Sequence, residues 1–179
     1  CPNTAGGEPF TNPKTLDTFL SKLDTIVLSI PVFIKMPNQL PWKQFDSLLH
    51  IAAQHSVAGV TIANLVKKRS LVAIADNLPE TTLGGISGRP TFGPSNDLIA
   101  QTYKKYGERF TIIGVGGVFS AEDAYAKIKL GASLVELVTG MIFEGPGIVG
   151  QINKGLVKLL EKDGYSSISQ AIGVDTHKK

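Results

Sequence analysis

Residues 110–140 read FTIIGVGGVFSAEDAYAKIKLGASLVELVTG, and this stretch decides the fold class. Phe110 to Gly116 is an almost unbroken apolar run, and Ser133 to Thr139 is another. Strands buried on both faces of a parallel sheet read this way, whereas half-solvated strands alternate. Between the runs, Ser120-Ala121-Glu122-Asp123 resembles a helix-capping box and Ala124 to Leu130 has helical spacing. Gly131 then stands where a helix ends in a left-handed residue. Strand, helix, strand at this spacing is a βαβ unit, whose right-handed crossover lays the two strands parallel.

Outward from this unit the pattern repeats. Two more apolar runs, Pro31 to Met36 and Gly59 to Asn64, predict strands. Trp42 to Gln54 groups Phe45, Leu48, Leu49 and Ala52 on one helical stripe, and Asp97 to Tyr106 groups Leu98, Ile99 and Tyr103. A last helix is predicted over about Ile148 to Lys162, closing at Gly164, with a polar tail from Tyr165. The alternation is that of an α/β protein with a parallel sheet. Four strands fit either half of an eight-stranded barrel or a small open sheet, and periodicity does not choose between them. Leu65 to Phe92 carries no long helical pattern; a connection of that length inside a compact domain points to a working loop.

The bulk properties exclude several classes. The 179 residues, 42% of them hydrophobic, suffice for one core, and residues 1–179 are taken as a single domain. The runs Thr111 to Val118 and Leu134 to Thr139 fall far short of the ~20 residues a membrane span needs. One cysteine excludes an internal disulfide, and the scattered His50, His55 and His177 offer no metal-ligand spacing, so no metal is expected. The net charge of +3 is mild. Its one dense basic run, Lys67-Lys68-Arg69, reads as a solvated loop or an anion patch, and nucleic acid is not an expected partner. The chain opens on Cys1 without an initiator Met, so it is expected to be a piece of something longer.

Parallel α/β proteins place ligands at the C-terminal ends of their strands, which here carry Lys35, Asn64, Gly114, Gly116, Gly117 and Thr139. Glycines leaving a buried strand just before a helix cap let backbone N–H groups approach a phosphate. GVGG lacks the third glycine of the dinucleotide fingerprint, because Phe119 stands there, so a tight structural turn remains the competing explanation. Thr139-Gly140 after the next strand forms a second half of the cradle, as in the phosphate pockets of barrels. Ser87 and Gly88, in the GGISGRP segment of the long loop, add further contacts or form a plain turn. Lys35 in an apolar strand must snorkel, pair or face a polar cavity. Asn64 either caps its turn or binds a substrate.

Taken in order, CPNTAG, IKMPN, GVTIAN, GGISGRP, IIGVGGVFSAEDAYAKIKLGASLVELVTG and the GPGIVGQI and GYSSISQAIG segments resemble the dihydroorotate dehydrogenase family across nearly the whole chain. The resemblance implies a TIM (β/α)8 barrel of which this chain supplies strands five to eight. It implies FMN above the strand ends and oxidation of dihydroorotate to orotate in pyrimidine biosynthesis. By position, Cys1 falls on the base that removes the C5 proton; Asn3, Thr4, Asn64 and Leu65 fall on the substrate side. Lys35 falls beside the flavin pyrimidine edge, where a fixed cation stabilises an anionic reduced flavin. Ala63, Ser87, Gly88, Gly116, Gly117, Val138 and Thr139 fall on the flavin contacts. Three positions depart from the family pattern: Ala63 and Leu65 replace threonines, and Val138 replaces a tyrosine.

The subclass signals diverge. A cysteine base resembles the soluble class, whereas SGRP and the AIG tail resemble the quinone-linked, membrane-associated class. The acceptor is therefore quinone or fumarate, and the expected location is the cytoplasm or the inner face of a membrane. A half barrel exposes strand edges, so a missing N-terminal segment, a partner chain or homodimeric closure is expected, and the fragment alone should be inactive. Two other functions stay open: an FMN barrel acting on another dihydropyrimidine-like substrate, and a non-catalytic module that binds a phosphate ligand.

Overall fold

The computed structural model describes residues 9–74, 78–79 and 81–176. In chain order these form α1 (Pro13–Asp24), β1 (Val32–Met36), α2 (Trp42–Ala52), β2 (Val57–Ile62), α3 (Phe92–Tyr106), β3 (Thr111–Val115), α4 (Ala121–Lys129), β4 (Leu134–Glu136), α5 (Thr139–Glu144), α6 (Ile148–Lys162) and α7 (Ile168–Ala171). The four strands make one sheet in the order β1-β2-β3-β4, every pair parallel. Val60 is in register with Ile112, and Ile113 with Leu134, so the four C-terminal ends lie side by side.

The expectation of strands buried on both faces holds for β2, in which five of six residues are buried. It fails for β4, whose Leu134 is 58% exposed. β1 and β4 are the sheet's edges, with one strand neighbour each, so an apolar sequence there is not matched by equal burial. The main core lies between the sheet and the first three helices. Leu20 of α1, Phe45 and Leu49 of α2, Ile99 of α3, and Val60 and Ile112 of the strands are all fully enclosed there. Each such side chain contributes about 1.5–3 kcal/mol through removal from water.

Four differences from the sequence-based expectations have local causes. α1 is additional to the expected elements; Asn12 caps it by accepting from the Lys14 and Thr15 amides at 3.0 and 3.2 Å, Pro13 opens it, and Leu16 and Leu20 face the core. α3 begins at Phe92 rather than Asp97 because Gly93 and Pro94 sit in its first turn, where the N–H that proline lacks has no helical acceptor anyway. The polar tail is partly folded. A Ser167/Gln170 capping box starts α7, Ala171 is fully buried, and the Gly173 amide donates to the Ile128 carbonyl at the end of α4. The cap of α4 is also modified: Ser120 Oγ accepts from the Asp123 amide (3.2 Å), but the Asp123 carboxylate takes the Phe119 amide (2.9 Å) rather than closing the box. Gly131 ends α4 at φ +114, as expected.

Candidate active site

The C-terminal ends of all four strands open into one cleft. β1 contributes Lys35; the segment after β2 contributes Ala63, Asn64 and Leu65; the turn after β3 contributes Gly116 and Gly117; the turn after β4 contributes Val138, Thr139 and Gly140. Ser87, Gly88 and Thr91 reach it from the long loop. Every described residue expected at a ligand site thus lines a single cavity, except Gly114, which packs against Ala132 and Ile99 in the interior. Cys1, Asn3 and Thr4 lie outside the described residues.

Short hydrogen bonds hold each segment. The Asn64 amide donates to the Met36 carbonyl (2.9 Å) and the Ala63 amide to the Val115 carbonyl (3.3 Å), so the end of β2 is pinned to both neighbours. The Lys35 ammonium has no hydrogen bond or ion pair among the described residues, and its exposed side chain faces the cleft instead of a partner. The 65–92 connection is not a loose excursion. Val66 and Ile86 exchange backbone hydrogen bonds at 3.0 and 2.7 Å and fold it back on itself, returning Ser87 and Gly88 to the cleft. Its basic run is partly structural, since the Arg69 guanidinium donates to the carbonyls of Pro79 and Thr82.

The cradle joins three loops. Thr139 Oγ1 donates to Ser87 Oγ at 3.0 Å, and a Cβ at Gly88 would stand 2.9 Å from Thr139 Cγ2. Gly116 and Gly117 are consecutive left-handed residues at φ +116 and +70, a conformation that L side chains rarely adopt. Their amides donate to no protein acceptor among the described residues. Arg89 braces the rim: its guanidinium pairs with Asp123 at 2.7 Å and lies 4.5 Å from the centre of the Phe119 ring.

Behind the cradle sits a residue that sequence reasoning missed. Lys127 is fully buried, and its Nζ donates to Ser95 Oγ (2.6 Å) and Asn96 Oδ1 (2.8 Å). Burial pushes its ammonium down to about 7, with the Asp123 carboxylate acting the other way. A signal existed. Lys127 follows Ala124 by three residues and precedes Ile128, which puts it on the inward stripe of α4.

A parallel sheet whose strand ends converge on one cleft places the chain in the α/β-barrel class, in which that face carries the ligand site. Comparison with known proteins makes the class specific. The family model for dihydroorotate dehydrogenase matches residues 1–160, and the chain belongs to that family. A dihydroorotate dehydrogenase (quinone) of Crocosphaera subtropica is 36% identical over 97% of this chain and 48% of its own length. One of Deinococcus deserti is 38% identical over 89% and 43%. A crystal structure of the ligand-free enzyme from Eimeria tenella superposes with a TM-score of 0.84 at 26% identity, covering 99% of this chain and 54% of that one. The chain spans about half the length of the curated relatives it matches, consistent with part of a TIM barrel. Among the described residues no helix is long and apolar enough to cross a membrane.

Proposed function

We propose that this chain supplies the cofactor- and substrate-facing C-terminal half of an FMN-dependent dihydroorotate dehydrogenase that oxidises dihydroorotate to orotate. The observation that carries the proposal is the convergence of Lys35, Asn64, Gly88, Gly116, Gly117 and Thr139 on one cleft. The residues present fit FMN. Two side-chain-free residues whose amides have no acceptor among the described residues, sharing the cleft with the Ser87 and Thr139 hydroxyls, suit a phosphate, and Lys35 suits the electron-rich edge of a flavin.

When bound, FMN supplies the acceptor for the hydride that leaves C6 of the substrate. The chain's own residues do the rest. Cys1 removes the C5 proton as its thiolate, and Asn3, Thr4 and Asn64 orient the ring, an amide offering both a donor and an acceptor to an imide. Lys35 holds a positive charge at the cleft, where it stabilises negative charge that develops during the reaction. The relatives' names support a quinone as the final acceptor. Leu65 lines the cleft with an apolar side chain, and this observation favours, as a second reading, a related dihydropyrimidine as substrate.

The test is the visible spectrum of the full-length gene product, followed by anaerobic addition of dihydroorotate. A flavin band that bleaches supports the proposal, and Asn64→Ala should then lower kcat/KM by about 10- to 100-fold, since a lost buried hydrogen bond to a polar ring costs about 1.5–3 kcal/mol. A flavin that stays oxidised points to the related substrate. A colourless protein without affinity for FMN refutes both.

A further inference from the structure

Lys127 is fully buried, yet every group that receives its protons is neutral. Its Nζ bonds Ser95 Oγ at 2.6 Å and Asn96 Oδ1 at 2.8 Å and lies 4.9 Å from the centre of the Phe92 ring. All three belong to the first turns of α3. Asp123, one turn earlier on α4, is engaged by Arg89 and by the Phe119 amide. Burying an ammonium without an ion pair is expensive, and a methionine of similar volume would join α3 to α4 at lower cost. Joining helices therefore does not account for the charge.

The same side chains form the floor of the glycine turn. A Cβ on Gly114 would stand 3.2 Å from Lys127 Cδ; one on Gly116 would stand 2.9 Å from Thr91 Oγ1 and 3.2 Å from Ser95 Oγ; one on Gly117 would stand 2.6 Å from Phe92 Cβ. Gly116 thus rests on the hydroxyl that the ammonium holds, and Gly117 on the residue whose ring it faces. A charge enclosed by protein acts through a lower effective dielectric than one at the surface, so its field reaches the turn with little screening.

The geometry points to Lys127 as a positioning residue of the phosphate cradle: its enclosed charge sets a positive potential behind Gly116 and Gly117 and holds Ser95 and Phe92 against them, so that the cleft selects phosphorylated over phosphate-free flavin. This rests on the FMN reading above. Lys127 itself touches neither flavin nor substrate. Its contribution is to binding of the phosphate and to nothing at the reacting atoms.

The full-length protein, stripped of flavin, is titrated with FMN and with riboflavin for the wild type, Lys127→Met and Asn96→Asp at about pH 6, below the value of about 7 to which burial lowers Lys127, so that its ammonium predominates. Both variants should lose about tenfold in FMN affinity, equivalent to about 1.4 kcal/mol, while riboflavin affinity stays within about twofold. Asn96→Asp separates the field from the fold. It preserves volume and strengthens the tie between α3 and α4 while cancelling the charge, so a purely structural lysine would leave FMN binding unchanged or improved. Asn96→Asp with wild-type FMN affinity, or Lys127→Met losing both flavins equally, overturns the proposal. If Lys127→Met does not fold, Asn96→Asp decides alone. A wild type that binds no FMN is seen first, and fails the FMN reading and this inference together.

Discussion

Replacing Gly117 by alanine tests the cradle at its least forgiving point. The residue sits at φ +70, and its new Cβ would stand 2.6, 3.0 and 3.1 Å from Cβ, Cα and N of Phe92. Two of these are backbone atoms at the start of α3, which cannot rotate away as the end of a side chain would. The left-handed conformation costs a non-glycine residue about 1–2 kcal/mol, and overpacking adds about 1–3, so the folded turn should lose about 2–5 kcal/mol. Gly84→Ala is the matched control: φ is +100 but nothing lies within 4 Å of the added carbon, leaving the conformational cost of about 1–2 kcal/mol alone. The assay is urea unfolding of the full-length protein beside FMN titration of the flavin-free form. The turn can relieve the clash by moving off Phe92, in which case stability is partly recovered and FMN affinity is lost. Gly117→Ala with the stability of Gly84→Ala and FMN affinity within twofold of wild type would refute the reasoning.

Two further outcomes follow from the packing away from the cleft. His55 joins α1 to the start of β2 through Asp24 (2.7 Å) and Asp17 (3.1 Å); burial works against its charge, but the two carboxylates outweigh burial and raise its pKa above 6.5. Its stabilisation is therefore full below about pH 6.5 and lost as pH rises through the raised value. Asp24, lowered by the Ser56 amide and by His55, stays ionised down through its ordinary 3.8. The melting-temperature deficit of His55→Gln should accordingly be largest between about pH 4 and 6.5 and shrink by pH 8.5; a deficit that grows with pH contradicts the assignment. Gly150, exposed in α6 with nothing within 4 Å of an added Cβ, should gain about 0.5–1 kcal/mol of stability as alanine, measured by chemical unfolding.

The βαβ grammar was legible because it is local. Continuous apolar runs marked all four strands, and Ser120 and Gly131 marked the two ends of α4 through backbone preferences that need no distant partner. The long 65–92 segment announced itself by lacking a helical period. α1 escaped notice although Asn12-Pro13 and the spacing of Leu16, Phe19, Leu20 and Leu23 encode it. The start of α3 at Phe92 was not legible, because the cost of the proline in Gly93-Pro94 depends on its place in the helix, which the dipeptide alone does not state.

From its sequence alone this protein shows a parallel α/β order, glycines where strands end, and a family whose site residues fall at those ends. Those properties depend on residues within a turn or two of one another, and on motifs that can be compared position by position. Only the tertiary structure showed that Ser87 meets Thr139, that His55 lies between two carboxylates of α1, and that Lys127 is enclosed behind Gly116. Such pairings join residues tens of positions apart. They follow from how the helices are rolled against the sheet, and burial, and with it the strength of a charge, is a property of that packing rather than of any short stretch of chain.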